Sequence, residues 1–385
     1  MKSFSRNRNS EHMVIHRAHK IELIVNESQE LYLKKAVGCA RFAFNWALNE
    51  WKREYEAYKK DSSLPKPSQY SIRRKLNAIK REQFPWMMEV TKCAVQMAII
   101  QLGQAFANFW KNPEHFKYPK FKKKYVSDSF TISNDQFEVK GSRIRIPKLG
   151  WVRMREPLRF KEAKLLWATV SRRGKRWYVS LSCELTDLSH LKPAKNQGTV
   201  GVDLGVKSLA VLSNHKRFEA LQPLKKSLSK LRRLQRKLAR SQKGSKNRLK
   251  LVLEIGELHR KIFNYRQNAL HQLTNYLTTH FSRIVIEDLN VSGMLKNGKL
   301  ARCIADVGFY EFRRQLLYKA EQRGCEVILA DRYFASSKTC GYCGQKHEAL
   351  KLSDRRWKCA HCGAEIKDRD FNAAINLRRY TEQPG

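Results

Sequence analysis

The spacing of apolar residues changes twice along this chain and divides it into three parts. Between residues 28 and 111, apolar side chains recur every three or four residues, which is the spacing of amphipathic helices. Between residues 117 and 184 they alternate with polar residues, which is the spacing of half-buried strands. Beyond residue 195, short apolar runs alternate with helical patterns. We therefore expect a multi-domain protein with an α+β first half and an α/β second half.

The first half is expected to hold a helical bundle inserted in a β-barrel. A stripe of apolar residues from Ser28 to Tyr58 indicates one long helix, and shorter helices are expected at Ser71–Lys80 and Thr91–Lys111. A strand-like stretch, Val14–Val25, precedes these helices. Small antiparallel strands after the helices favour a barrel that this stretch would complete. These strands are expected at Ser129–Ser133, Arg143–Pro147, Trp151–Arg155, Ala163–Ser171 and Trp177–Glu184.

The second half begins near Lys195 and combines strands with two long helices. Residues 224 to 250 contain 12 Lys or Arg and no acid, with leucines at helical spacing, so one face should pack while the other meets phosphate. Gly244 and Ser245 should break this helix, and a second helix is expected from about Arg248 to Thr279. The strands are expected at Thr199–Leu204, Leu209–Ser213, Arg283–Glu287 and Glu326–Ala330.

The charge of the chain indicates a polyanionic partner. Lys and Arg number 77 against 35 Asp and Glu, a formal net charge of +42. No uncharged apolar run approaches ~18 residues and no secretory leader is visible, so a membrane is a poorer partner than nucleic acid. Fourteen Tyr, 18 Phe and 8 Trp add faces on which bases can stack. The candidate phosphate contacts are Lys120, Lys122, Lys123, Lys124, Arg232, Arg233, Arg236 and Arg240.

Three acids follow patterns that suit a metal site. Asp203 and Glu287 each end an apolar strand, and Asp370 lies at a helix start rich in small residues, which would let that helix sit close to a sheet. Taken alone, an Asp after a strand, such as Asp203, is more often a turn or cap residue than a ligand, and Asp370 could be a helix cap. Together they could converge, and three carboxylates sharing one site need cations. Two Mg²⁺ ions ~4 Å apart could then support phosphodiester hydrolysis.

Four of the nine cysteines form two Cys-x2-Cys pairs near the C-terminus. Cys340 and Cys343 are separated by 15 residues from Cys359 and Cys362, and a glycine follows each pair. This spacing is typical of a zinc ribbon, in which four thiolates leave no open position on Zn²⁺, so the metal should be structural. His347 and His361 remain alternative ligands. The other five cysteines are scattered, which argues against a disulfide framework.

The order of these motifs resembles the TnpB family of transposon-encoded nucleases, which are similar to the single-RuvC CRISPR effectors. The resemblance extends from about residue 14 to residue 380. Its specific motifs are GVDLG with Asp203, IVIEDL with Glu287, SSKTCGYCG, and WKCAHCGAEIKDRDFNAAINL with Asp370. VGCARFAFNWAL, KYPKFKKK and IPKLGWVRM in the first half are similar to the family but less specific.

The resemblance implies a domain plan. It places a β-barrel wedge domain at residues 13–27 and 117–195, interrupted by a helical recognition domain at 28–116. An RNase H-like (RuvC) nuclease domain then covers 196–335 and 364–385, with the zinc ribbon inserted at 336–363. Residues 1–12 are polar and patternless and are expected to be a disordered leader.

The resemblance also implies an activity and its partners. A guide RNA derived from the transposon end would bind the protein, and base pairing would select double-stranded DNA beside a short duplex motif for cutting by the RuvC site. The protein would act as a monomer in this ribonucleoprotein, in the bacterial or archaeal cytoplasm and on the nucleoid when bound to DNA. Two other functions stay open: a transposase that joins DNA strands, and a nuclease-inactive RNA-guided repressor. The intact acid motifs argue against the second.

Overall fold

The computed structural model describes residues 15–126, 128–160, 163–185, 195–351 and 353–380. The chain forms two compact units, Met1–Leu188 and Ser189–Gly385. The leader expected at residues 1–12 lies outside the described residues.

The first unit joins a helical bundle to an antiparallel sheet. Its helices are α1 (Glu27–Lys60), α2 (Gln69–Gln83) and α3 (Lys92–Lys111). Its strands are β1 (Ile15–Ile24), β2 (Ser129–Ser133), β3 (Glu138–Lys140), β4 (Arg143–Ile146), β5 (Gly150–Met154), β6 (Lys164–Arg173) and β7 (Arg176–Leu185). The three helices and every strand expected in this unit are therefore present, and β3 was not expected.

The strand order explains how the helices are inserted. The sheet runs β2-β6-β7-β1-β5-β4-β3, and β1 pairs antiparallel with β7 on one side and β5 on the other. The strand that precedes the bundle is thus in the middle of the sheet made by the strands that follow it. Apolar residues of helices and sheet form one core, from Ile21 through Leu102 to Cys183. The pairings among the described residues run from β2 to β3 and do not include a pair between those two strands.

The second unit is a mixed sheet with helices on both faces. Its strands are β8 (Thr199–Leu204), β9 (Ser208–Leu212), β10 (Arg217–Glu219), β11 (Arg283–Glu287), β12 (Glu326–Ala330), β13 (Trp357–Lys358) and β14 (Glu365–Ile366). Its helices are α4 (Pro223–Arg240), α5 (Lys246–His280), α6 (Val291–Met294), α7 (Ala301–Val307), α8 (Phe309–Arg323) and α9 (Arg369–Arg379).

The main sheet of this unit has the order β10-β9-β8-β11-β12. β8, β9 and β10 form an antiparallel meander, while β11 runs parallel to both β8 and β12. Val202 and Ile286 point to the face covered by α5, α7 and α8, where they join a core with Leu273 and Phe312. Val285 points to the other face, where it packs with Leu377 of α9.

The break between α4 and α5 falls where glycine and serine were expected to place it. Gly244 adopts a φ of 85°, and the Ser245 side chain accepts a hydrogen bond from the amide of Arg248 to cap α5. Leu231 and Leu234 of α4 are buried, so its basic face points away from the packed side.

Candidate active site

The register of two parallel strands brings Asp203 and Glu287 side by side. Val202 of β8 pairs with Ile286 of β11, and each acid is the next residue on its strand. Neighbouring strands lie about 4.8 Å apart, and in-register residues of parallel strands point to the same face. That face is the one on which α9 lies, since Gly201 precedes Asp203 by two residues and contacts α9. Both acids therefore point toward α9.

Asp370 reaches the same place because α9 packs directly on β8. A Cβ added at Gly201 would lie 2.0 Å from Ala374 O and 2.4 Å from Arg378 N, so only glycine permits this approach. Asp203 is about 6.6 Å further along the strand than Gly201. Asp370 is one turn, about 6 Å, before Ala374 on the helix. Burial of Ala373 and Ala374 confirms that small residues let this helix sit close to the sheet.

The three acids interact electrostatically. Burial, followed by repulsion from Glu287 and then Asp370, raises the pKa of Asp203 to about 8, and Arg369 and Arg355 oppose this rise. A carboxyl group held in this way is poised to take a cation in place of its proton. Among the described residues, the three acids do not form a group whose oxygens all lie within 4.8 Å of one another.

Two further side chains, which no sequence pattern indicates, hold the acids. Ser336 Oγ donates a hydrogen bond to Glu287 Oε1 at 2.5 Å. Arg355 Nη1 donates to Asp370 Oδ1 at 2.7 Å. Both residues lie in loops without periodicity, 49 and 15 residues from their partners. Only proximity in the fold could reveal them.

The neighbouring acids have different contacts. Asp368 Oδ1 accepts hydrogen bonds from the amides of Asp370 and Phe371 at 3.0 and 3.2 Å, so it caps α9. Asp288 forms ion pairs with Arg313 and Arg332, and hydrogen bonds from these arginines lower the pKa of its carboxyl group. Asp368 is therefore engaged by the start of α9, and Asp288 by two arginines.

The four cysteines form a site that fits zinc. Their sulfur atoms lie within 4.8 Å of one another, with Cys340–Cys362 at 3.8 Å and Cys343–Cys359 at 3.7 Å. A tetrahedral ion with Zn–S bonds near 2.3 Å places its ligands about 3.8 Å apart. His347 is outside this group, with Nε2 3.2 Å from Cys359 Sγ.

Both cysteine pairs use the same tight turn. The amides of Gly344 and Gly363 donate to the carbonyl oxygens of Cys340 and Cys359, each at 2.9 Å. The two glycines have φ angles of 75° and 73°, in the left-handed region that glycine adopts without strain. The glycine after each pair is thus a requirement of the turn.

Hydrogen bonds tie this cysteine site to α9. The Gly341 amide donates to Asn372 Oδ1 at 2.7 Å, and Asn372 Nδ2 donates to Thr339 O at 2.7 Å. Asn376 Nδ2 donates to Ser336 O and Thr339 O, also at 2.7 Å. Asn372 and Asn376 are on the helix that carries Asp370, so the cysteine turn and the third acid form one connected structure.

The basic residues singled out from the sequence differ in exposure. Lys120, Lys123 and Lys124 are exposed, whereas Lys122 is half-buried with Nζ 4.1 Å from the centre of the Phe44 ring. The four arginines of α4, Arg232, Arg233, Arg236 and Arg240, are all exposed. Within the described residues, every helix is too short or too polar to span a bilayer.

Three family models match parts of the chain. Residues 180–298 match one described as "Probable transposase", the OrfB family of IS605-type elements, and residues 309–377 match "Cas12f1-like, TNB domain". Residues 13–60 match one described as "Helix-turn-helix domain". The structure differs from that last description, since residues 15–60 form strand β1 and the single helix α1.

Curated relatives match nearly the whole chain. A Streptomyces pristinaespiralis protein named "Putative RNA-guided DNA endonuclease" is 34% identical, over 94% of this chain and 89% of the relative. The Escherichia coli K12 protein named "Putative RNA-guided DNA endonuclease InsQ" is 33% identical, over 94% of this chain and 91% of the relative.

A solved structure shares the fold. The cryo-EM structure titled as a complex of Cas12f1 with single-guide RNA and target DNA aligns with a TM-score of 0.55 at 14% identity. The alignment covers 95% of this chain and 99% of that one.

Proposed function

Because the chain belongs to the TnpB family of transposon-encoded proteins, we propose that it is an RNA-guided DNA endonuclease that cuts its target beside a short duplex motif. The observation that carries this proposal is the convergence of Asp203, Glu287 and Asp370 from β8, β11 and α9. A helix cap or a turn would not require three acids to meet, or the pKa of one of them to be raised by the other two.

The three acids would hold two Mg²⁺ ions. When bound, these ions supply a water of lowered pKa and neutralise charge at the cleaved phosphodiester. The four cysteines would hold one Zn²⁺, whose role is structural because the thiolates occupy all four positions.

The protein's own groups position the acids for this chemistry. Ser336 donates to one oxygen of Glu287 and leaves the other available. Arg355 engages one oxygen of Asp370 and reduces repulsion within the group. Asp368 caps the start of α9, and the Gly341 amide of the first cysteine turn donates to Asn372 further along the helix. Asp370 lies between these two contacts, which therefore fix its position.

We also propose that the partners are a guide RNA and double-stranded target DNA. The domain plan would be a wedge domain with an inserted helical recognition domain, followed by a RuvC nuclease domain with an inserted zinc ribbon. A guide RNA from the transposon end would lie along basic surfaces such as the exposed arginines of α4, and the protein would work as one copy per ribonucleoprotein inside the cell. Neutralising two of these arginines should make binding less sensitive to salt. The slope of log affinity against log salt concentration should fall by about 0.9 for each duplex contact that is lost. An unchanged slope would assign the arginines to solvent.

The test is to purify the protein after co-expression with the flanking transposon-end sequence. Bound RNA is extracted and sequenced, and the complex is mixed with a plasmid library matching its guide. Asp203→Asn is the matched control, since it removes the charge and keeps the shape. We expect cutting that requires guide and Mg²⁺ and that vanishes in the variant.

The other outcomes point to the alternative functions. Bound RNA without cutting would indicate a repressor. Joined DNA strands, with no bound RNA, would indicate a transposase.

A further inference from the structure

A cavity of 260 Å³ opens beside Glu287, at the end of β11. The end of β11, the start of α6 and the first turn of α8 form its walls. Phe309 and Phe312 are buried beneath it, while Tyr310, which is 71% exposed, stands at its mouth. An aromatic floor and an exposed ring suit a planar group such as a nucleobase.

Asp288 holds two arginines at this cavity. Its two oxygens take one guanidinium each, from Arg313 Nη1 at 2.6 Å and Arg332 Nη2 at 2.9 Å. The three side chains together carry a charge of +1. A guanidinium has five N–H donors, so each arginine retains donors that Asp288 does not use. The side chains of Arg313 and Arg332 are 39% and 50% exposed, which leaves those donors accessible.

The cavity thus presents two guanidinium groups, with unused donors, beside the acid cluster. Paired guanidinia match the geometry of phosphate, and a carboxylate that fixes their orientation reduces the entropy lost on binding. Glu287, a proposed metal ligand, lines the same cavity. A phosphate on the two arginines would therefore lie close to the phosphodiester held at the acids.

We propose that this cavity binds one nucleotide of the DNA strand being cut, with Arg313 and Arg332 on its phosphate and Tyr310 against its base. This inference rests on the proposed function and names the subsite that orients the strand. Asp288 is then a positioning residue for the two arginines, although it is next to a proposed metal ligand in the sequence.

The first test removes single phosphate charges from the substrate. Methylphosphonate linkages, which are neutral, are placed one at a time around the cut site of guide-matched DNA. In the wild-type complex, one linkage next to the cut should slow cleavage about tenfold or more, as expected for a lost charge-assisted contact. In the Arg313→Gln/Arg332→Gln variant, the unmodified substrate should be slowed by a similar factor and that linkage should cost nothing further.

The matched control is Arg283→Gln. Arg283 is at the other end of β11 and pairs with Glu326 at 2.8 Å, so the variant loses a charge from the same strand. It should keep the full sensitivity to the methylphosphonate. If the double variant also keeps that sensitivity, the arginines only brace the fold and the inference is wrong.

The second test does not depend on cleavage. A short single-stranded oligonucleotide containing 5-iododeoxyuridine is bound to the protein–RNA complex in Ca²⁺ without Mg²⁺ and irradiated, and the crosslinked peptide is identified by mass spectrometry. We expect a crosslink at Tyr310 that is lost in Arg313→Gln/Arg332→Gln and in the milder Arg332→Lys, and kept in Arg283→Gln. A crosslink in a wild-type protein that cuts nothing would support the subsite and sink the proposed function. No crosslink at the cavity would overturn the subsite.

Discussion

Replacing Gly201 with alanine should separate the third acid from the other two. The new Cβ would lie 2.0 Å from Ala374 O and 2.4 Å from Arg378 N, both backbone atoms of α9. Such contacts do not fall below 3.0 Å, so the helix must move away by at least 1.0 Å. Side-chain rotation cannot relieve the clash, because both atoms belong to the helix backbone. Asp370 moves with the helix.

The size of the effect follows from that displacement. A misplacement of about 1 Å in a catalytic group can cost on the order of 100-fold in rate. Overpacking should also lower the free energy of unfolding by about 1–3 kcal/mol. Single-turnover cleavage of guide-matched DNA by the purified complex measures the first quantity, and chemical denaturation measures the second. Binding of guide RNA should be retained, since α4 and its arginines are elsewhere in the unit.

Gly298→Ala is the matched control for this prediction. It adds the same atoms in the same unit, and its Cβ has no heavy atom within 4 Å, so activity and stability should remain near wild type. If Gly201→Ala cut DNA at the wild-type rate with unchanged stability, the close packing of α9 on β8 would not be what places Asp370.

The remaining predictions concern charge and metal. In EDTA, folding favours the protonated form of Asp203, because its pKa is about 8 in the folded protein against an ordinary value of 3.8. This contribution to the free energy of unfolding is fully present below pH 3.8 and is lost as the pH rises to about 8. In the wild-type protein, the free energy of unfolding should fall by on the order of 1 kcal/mol per pH unit between those limits, and Asp203→Asn should abolish this fall. The same pH dependence in both proteins, measured by denaturation, would contradict the raised pKa. Zinc analysis should find one ion per chain. Cys340→Ser should lose that ion and the cleavage activity but still bind guide RNA. An equal loss of RNA binding would mean that the variant is generally unfolded. Arg355→Gln should lower the Mg²⁺ concentration needed for thermal stabilisation, because the arginine occupies an oxygen of Asp370, and Arg356→Gln should leave it unchanged.

The helices and long strands could be predicted because their apolar patterns are long and regular. Helix α1 has 34 residues, and strands β6 and β7 have ten each. Their apolar patterns are long enough to be recognised without a structure. β3 and β10 have three residues each, too few for a pattern to rise above chance. Their pairing is decided by neighbouring strands.

The site could be predicted in part for a related reason. Asp203 and Glu287 end apolar strands, a local feature, but their adjacency depends on the register of Val202 with Ile286. That register pairs residues 84 positions apart in the chain, and no local pattern encodes it. The motif order of a known family supplied what periodicity could not. The clustering of the four cysteines was predictable from their spacing alone, since the two turns are local and each needs its glycine.

The contacts that sequence reasoning missed are those of arginine and serine in loops. Arg332 and Ser336 both reach the end of β11 from the segment after β12, because β11 and β12 are parallel neighbours and end together. Any residue shortly after β12 is therefore a candidate to contact residues 287 and 288. The topology explains this placement once the strand order is known, and the sequence without that order does not.

The contacts of the arginines near the acids explain why Asp203 has no arginine partner among them, although the chain is strongly basic. A chain with a charge of +42 could surround three carboxylates with cations and so block metal from them. Three nearby arginines instead bind other acids. Arg313 and Arg332 donate to Asp288, and Arg355 donates to one oxygen of Asp370. Asp203, the central acid, is paired with none of these arginines and keeps a raised pKa in spite of Arg369 and Arg355. By binding the guanidinium groups of Arg313 and Arg332, Asp288 keeps these two cations from pairing with Asp203, the carboxylate that we propose as a metal ligand.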